Sequence, residues 1–271
     1  MKLGIIAGNR FFPVMLAEAI KRKDKAIEIV AFCFRGETSA QIVRHVDRAY
    51  WIEIGKLRQL REALEEEHIS ECIMAGQITP VRIFKRNNWD RELTTLIEKT
   101  GDMRPHTVFS SIICHLEHAG VRFLDSTLYL KEMLAQDGPM NAVAISDAGQ
   151  ADIDFGVTMI SRFVDLDIGQ TMVIKDKSVV ALESLEGTDR TILRGCRLAG
   201  RGGTVLKFSK VNQDLRFDVP VVGLSTLVLL HKIRAATLVL EASKVIILEK
   251  EKFLLCAKRW GISVVGAKKR R

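Results

Sequence analysis

Long apolar runs are missing from this 271-residue chain, so no segment qualifies to cross a bilayer. Cysteine is sparse: Cys33, Cys72, Cys114, Cys196 and Cys256 are odd in number, scattered and never in CxxC spacing. That excludes a disulfide framework and predicts reduced thiols in the core. The six histidines form no HxxxH or HxH pair, which argues against zinc. Aromatics make up 6% of the chain and do not interleave with its charges, so no base-stacking platform is offered to nucleic acid. The glycine turn after the first apolar run lacks GxGxxG, the dinucleotide fingerprint. The apolar part of MKLGIIAGNRFFP is too short for a secretory leader and is broken at Gly8-Asn9-Arg10. The expectation is a protein that stays in the cytosol.

What is present describes an ordinary folded chain, with 47% apolar residues and a mean hydropathy of +0.09. Its length fits one large or two modest domains with a sizeable core. The net charge is +8, with 20 basic and 18 acidic residues in 1–135 against 21 and 15 in 136–271. This balance favours an anionic partner: nucleotide, nucleic acid, phospholipid or phosphorylated sugar. The closing KKRR reads as a solvated tail.

Apolar strands alternate with helical patterns through the first half. KLGIIAG reads as a buried strand, and Pro13 opens a helix. AIEIVAFCF and Ala49–Ile54 follow as strands, then a helix over Lys56–Glu67 and a strand over Ile69–Ala75. This order predicts a parallel, doubly wound sheet, whose ligands sit beyond the strand carboxyl ends. Gly8-Asn9 and Gly76-Gln77 are two such ends. Asn88–Glu117 reads as helical with a break at Arg104-Pro105, GVRFLDS as a strand and LYLKEMLA as a helix. The turn-rich Gln136-Asp137-Gly138-Pro139 marks a domain boundary, giving domains 1–136 and 140–271. The second half is again α/β: a helix over Asp152–Val164, strands Thr171–Lys175 and Val179–Leu185, and a helix from Thr188. A strand Thr204–Lys210, a long helix from Thr226, and strands KVIIL and ISVVG complete it.

Chemistry concentrates between Glu183 and Gly223. Glu183, Glu186 and Asp189 crowd one turn, Lys207 and Lys210 share a strand at opposite parity, and Gln213, Asp214, Arg216 and Asp218 follow in a loop. Acidic groups beside basic ones, near glycine turns, suit a metal-assisted phosphate site. Spacing alone equally allows a solvated loop whose aspartates cap turns.

Four segments taken together resemble one family. They are GIIAGNRFFP, AGQITP, LDIGQTMVIKDKSVVALESLEGTD and KVNQDLRFDVPVVG, and the likeness is to the LpxI class of UDP-2,3-diacylglucosamine pyrophosphatases of lipid A biosynthesis. It runs in order from residue 3 to about residue 266. The resemblance implies an N-terminal Rossmann-like domain and a C-terminal α/β catalytic domain. It implies hydrolysis to 2,3-diacylglucosamine 1-phosphate and UMP, with water entering at the β-phosphorus and a divalent cation, magnesium or manganese, assisting. It further implies a homodimer in peripheral contact with the cytoplasmic face of the inner membrane. Asp218 matches the family's essential aspartate, as metal ligand or orienter of water. Glu186, Asp189 and Asp214 are the further acidic candidates, the first two for the metal. Thr188, Arg194, Lys207, Lys210 and Gln213 are candidates for phosphate oxygens or uridine, and Gln170 of the DIGQ segment for the ligand or a structural turn. LSTLVLLHKIRAATLVL reads first as a core helix and secondly as the lining of an acyl groove.

Two other classes compete. A Rossmann oxidoreductase using NAD lacks its fingerprint and leaves Glu183–Gly223 without a purpose, and a non-catalytic binder of an anionic ligand such as nucleic acid would have only the basic C-terminal half to rely on.

Overall fold

The computed structural model describes residues 1–79, 88–210 and 213–270. Pro80, Val211, Asn212 and Arg271 of the segments quoted above lie outside the described residues. The chain divides into two compact units, Met1–Leu130 with Leu215–Phe217, and Lys131–Asp214 with Asp218–Arg271.

The N-terminal unit runs β1 (Lys2–Ala7), α1 (Phe12–Lys23), β2 (Glu28–Phe34), β3 (Arg48–Ile52), α2 (Leu57–Glu66), β4 (Glu71–Ala75), α3 (Arg91–Thr100), α4 (Pro105–His118) and β5 (Arg122–Phe123). Its sheet has the order β3-β2-β1-β4-β5, every neighbouring pair parallel, as the strand–helix alternation predicted. β1 and β2 are buried along almost their whole length, the pattern of strands covered on both faces. Pro13 opens α1, where its missing N–H costs nothing. Asp90 caps α3 by accepting from the Leu93 N–H at 2.8 Å. The chain order reverses between β1 and β4, so the carboxyl ends of those strands form the topological switch point.

A buried carboxylate ties this sheet to the end of α2. Glu67, 2% exposed, accepts from Lys2 Nζ at 2.8 Å, Tyr50 OH at 2.7 Å and Arg48 at 2.9 Å. Those three donors satisfy a charge that burial would otherwise penalise.

The C-terminal unit runs β6 (Gly138–Pro139), α5 (Asp147–Phe163), β7 (Thr171–Lys175), β8 (Ser178–Leu182), α6 (Thr188–Ala199), β9 (Thr204–Lys207), β10 (Val221–Val222), α7 (Leu224–Lys232), β11 (Thr237–Glu241), β12 (Ile246–Ile247), α8 (Lys250–Arg259) and β13 (Ser263–Ala267). Its main sheet has the order β6-β13-β11-β9-β7-β8. β13, β11 and β9 are parallel, whereas β6, β7 and β8 pair antiparallel. β10 and β12 make a separate parallel pair.

Four expectations change here. LYLKEMLA does not form an α-helix; of it only Lys131–Met133 is helical, as a short 3₁₀ segment, because the Ala135 N–H bonds instead to Val245 O at 2.9 Å. The long helix expected from Thr226 ends at Lys232, and Thr237–Glu241 is a fully buried parallel strand. A short apolar run of this kind has no period that separates helix from strand. Gly138–Pro139 is part of the sheet, paired with Val265 and Gly266. The backbones meet so closely there that a Cβ on Gly266 would lie 1.6 Å from Gln136 O, leaving only glycine room. Lys268–Arg270 of the basic tail stay largely at the surface, but as ion pairs. Lys268 pairs with Asp137 at 2.9 Å, Lys269 with Glu241 at 3.8 Å and Arg270 with Asp154 at 2.6 Å.

Candidate functional site

In the C-terminal unit the polar groups converge where β9 ends and α6 begins. Lys207, the last residue of β9, reaches Thr188 Oγ1 at 3.3 Å and Val221 O at 3.1 Å. Thr188 is the first residue of α6; it donates to Glu183 Oε1 at 3.2 Å and accepts from Thr171 Oγ1 at 3.2 Å. Glu183 also accepts from the Gln170 N–H at 3.3 Å. Gly187, at φ +80°, begins α6 with no side-chain cap on the first-turn N–H groups. An uncapped helix start beside an ammonium is a ready cradle for phosphate oxygens.

The strand expected over Thr204–Lys210 ends at Lys207, so Lys210 lies beyond it in the following turn. Lys207 stands in the cradle, while Lys210 pairs with Asp167 at 2.8 Å. Gln213 closes the following loop: its carbonyl accepts from the Lys210 N–H at 2.7 Å and its amide donates to Asp218 O. The Asp218 N–H bonds to Asp214 O at 2.9 Å, so the two aspartates share one turn. Arg194 and Glu186, expected to serve phosphate and metal, engage each other instead. Arg194 also donates to Leu182 O at 3.0 Å, and Glu186 accepts from Thr191 at 3.1 Å. The Arg194 bond, ahead of the Thr191 one, holds the Glu186 carboxyl below its ordinary value. Asp189 is exposed in the first turn of α6, where the helix dipole favours its charge.

Among the described residues no three His, Cys, Asp or Glu side chains stand close enough to share a metal ion. Glu186, Asp189 and Asp218 therefore do not form one closed carboxylate cage. Their oxygen chemistry is of the kind magnesium takes, which is held by one or two carboxylates together with water and phosphate.

In the N-terminal unit, Gly8-Asn9 and Gly76-Gln77 lie side by side at the switch point. The Gly8 N–H bonds to Ala75 O and the Asn9 N–H to Gln77 O, both at 2.7 Å. A Cβ on Gly8 would lie 2.7 Å from Gln77 O, and one on Gly76 2.5 Å from Asn9 O. These glycines let two turns touch. Glu37 draws the turns together, accepting from Asn9 Nδ2 at 2.8 Å and Thr79 Oγ1 at 3.0 Å. The Gln77 side chain is exposed beside them.

The same unit holds an apolar pocket among the sheet, α2, α3 and α4. Leu60, Met74, Trp89, Leu93, Phe109 and Ile112 are among its walls. Its volume is about 70 Å³, room for a small apolar group. No helix among the described residues is long and apolar enough to cross a membrane.

Sequence reasoning did not single out Thr171, Glu37 or Glu241, and it named Glu183 only among the acidic groups of a metal-assisted site. For Glu183 a signal existed: the β7–β8 hairpin returns it beside Thr171, whose carbonyl accepts its N–H at 2.9 Å.

Comparison with known proteins gives a consistent result. A family model described as the LpxI N-terminal domain matches residues 2–133, and one described as the LpxI C-terminal domain matches residues 136–265. The chain is 26% identical over 278 aligned positions to the UDP-2,3-diacylglucosamine pyrophosphatase LpxI of Caulobacter vibrioides, covering 98% of this chain and 97% of that one. Among solved structures, the biotin carboxylase domain of Hydrogenobacter thermophilus 2-oxoglutarate carboxylase is 14% identical at a TM-score of 0.28, covering 65% of this chain and 35% of that chain. Mycobacterium tuberculosis glycinamide-RNase-transformylase T is 14% identical at 0.25, covering 68% and 44%. This chain spans less than half the length of either, and neither likeness carries an argument.

Proposed function

The chain belongs to the LpxI family, and from that premise we propose that it hydrolyses the pyrophosphate of UDP-2,3-diacylglucosamine to UMP and 2,3-diacylglucosamine 1-phosphate. The observation that carries the chemistry is Lys207 held against Thr188 at the uncapped start of α6. A pyrophosphate must be neutralised before a nucleophile approaches, and an ammonium with aligned N–H groups does this without reorganising. Thr188 and Thr171 fix the cradle's hydroxyls, and Glu183 fixes Thr188.

Asp218 is the residue we assign to the attacking water, accepting its proton or orienting it. Val219 and Pro220 follow it, the proline restricting Val219 before it, and Gln213 holds its carbonyl. A divalent cation, when bound, would be held by Asp218 with Asp189 or Asp214 as second carboxylate, and would supply charge neutralisation on the phosphates. Gly76, Gln77, Gly8 and Asn9 offer a further polar edge to the substrate. The small apolar pocket of the N-terminal unit suits at most the end of an acyl chain, each buried methylene contributing about 0.8 kcal/mol. The segment LSTLVLLHKIRAATLVL is the other candidate for that lining. The protein is read as a homodimer acting in peripheral contact with the cytoplasmic face of the inner membrane, where a lipid-linked substrate is reached without a spanning segment.

The test is UMP release from UDP-2,3-diacylglucosamine with magnesium and with excess EDTA. Absence of release under both conditions overturns the proposal, and full activity in EDTA overturns the metal. Run in ¹⁸O-water, the reaction places label in 2,3-diacylglucosamine 1-phosphate if water enters at the β-phosphorus. Label in UMP would mean attack at the other phosphorus.

A further inference from the structure

A buried carboxylate that the mechanism above leaves unused sits beside the cradle. Glu241 is the last residue of β11 and is 6% exposed. Its neighbour Leu240 is in register with Lys207 on β9. Glu241 Oε2 accepts both the Ser209 N–H and the Ser209 hydroxyl, each at 2.6 Å. Its other oxygen faces Lys269 at 3.8 Å. Ser209 is itself buried, two residues beyond Lys207 and one before Lys210.

The turn that follows β9 is held at each successive N–H. Phe208 donates to Gln170 O at 2.9 Å, Ser209 to Glu241, and Lys210 to the side chain of Gln213. Of these acceptors only Glu241 is charged, and bonds to a charged acceptor are the stronger and shorter kind. Gln213 in turn holds Asp218 O. One carboxylate thus fixes the turn joining the phosphate cradle to the aspartate loop. An apolar residue in its place would leave the buried Ser209 N–H without an acceptor and the turn without its tie.

We propose that Glu241 is a positioning residue for the hydrolysis, setting the turn that aims Lys207 on one side and the Gln213–Asp218 loop on the other. Lys269 fastens the carboxylate from its far side. This rests on the pyrophosphatase reading. The test therefore includes a variant of the cradle itself.

Glu241→Gln, Ser209→Ala and Lys207→Met are compared in the full-length protein by UMP release, with kcat expressed per folded molecule from circular dichroism. Glu241→Gln is expected to lower kcat at least about tenfold with KM within about threefold, the pattern of a group that places reacting atoms. Ser209→Ala, which removes one of the two bonds, is expected to lower kcat about threefold. A merely structural carboxylate would lower the melting temperature and leave kcat per folded molecule unchanged. Lys207→Met inactive with Glu241→Gln fully active overturns the positioning role and leaves the pyrophosphatase reading standing. Lys207→Met fully active overturns the cradle, and the positioning role with it. If Glu241→Gln does not fold, Ser209→Ala decides: an unchanged kcat overturns the proposal.

Discussion

The ring of Phe217 stacks on that of Phe109, centroids 5.8 Å apart and planes 30° from parallel. His106 lies against the same ring at 5.3 Å. The two phenylalanines are far apart in sequence, yet Leu215–Phe217 counts with the N-terminal unit while Asp214 and Asp218 count with the C-terminal one. Ser126 secures the segment, its N–H on Leu215 O at 3.0 Å and its hydroxyl on Arg216 O at 2.9 Å. The proposed essential aspartate therefore follows directly on a residue packed into a different core.

Phe217→Ala should test that dependence. Removing a half-buried ring should cost about 2 kcal/mol, seen as a lower melting temperature. It should also lower kcat, because the turn that carries Asp218 loses its anchor. A variant that melts earlier but keeps full kcat would show that the segment matters for stability alone.

Lys207 and Lys210 should behave differently although they stand three residues apart. Lys207→Met is expected to lose at least about a hundredfold in kcat/KM, as for a lost oxyanion-type contact. Lys210→Met should stay within about threefold, since its exposed pair with Asp167 contributes little. Equal losses would remove the distinction drawn between the two.

Asp218→Ala should fold, bind the substrate and turn it over at least about a hundredfold more slowly. Calorimetric titration with UDP-2,3-diacylglucosamine, alongside the rate, separates binding from chemistry. Activity above about a tenth of wild type would shift the assignment to Asp189 or Asp214.

The Glu67 cluster makes a prediction about pH. Its bonds from Lys2 first, then Tyr50 and Arg48, bring the Glu67 carboxyl down to about 2 against desolvation, and the Glu67 bond pushes Tyr50 up to about 12. A lowered carboxylate contributes stability above its unfolded pKa of about 4.3, and this is lost as pH falls through the folded value. A raised phenol contributes below about 10 and loses its share as pH rises through the folded value. The cluster is therefore at full strength between about pH 4.5 and 10. Glu67→Gln should melt earlier at pH 7, by about 2 kcal/mol in stability. The gap should narrow from pH 4 to pH 2 as the wild-type carboxylate protonates. A gap that stays constant down to pH 2 would dismiss this account.

Much of the architecture could be read from residues alone, and the reasons are local. β1 and β2 are continuous apolar runs ended by turns, and Pro13 and Arg104-Pro105 mark helix ends by their own chemistry. Reading failed where tertiary pairing decided. Thr237–Glu241 is a strand because β9 and β13 flank it, and Gly138–Pro139 joins the sheet because Gly266 lets it approach. Within the candidate site, strand parity was expected to separate Lys207 from Lys210, but β9 ends at Lys207 and the turn after it separates them instead. The mutual engagement of Arg194 with Glu186 was hidden because both residue types suit a phosphate site equally. Glu241 carried no motif at all; its role follows from the neighbour β11 acquires only in the folded sheet.

The fastened tail bears on how this molecule meets a charged surface. Lys268, Lys269 and Arg270 each answer a carboxylate from elsewhere in the C-terminal unit, so beyond a Debye length of about 8 Å that corner presents nearly cancelled pairs. The surplus of +8 must then be displayed by other lysines and arginines. Retention on heparin or on anionic vesicles would report those residues. Neutralising the tail would first loosen Glu241 and Asp154 from their partners, and would subtract little from the attraction felt at a distance.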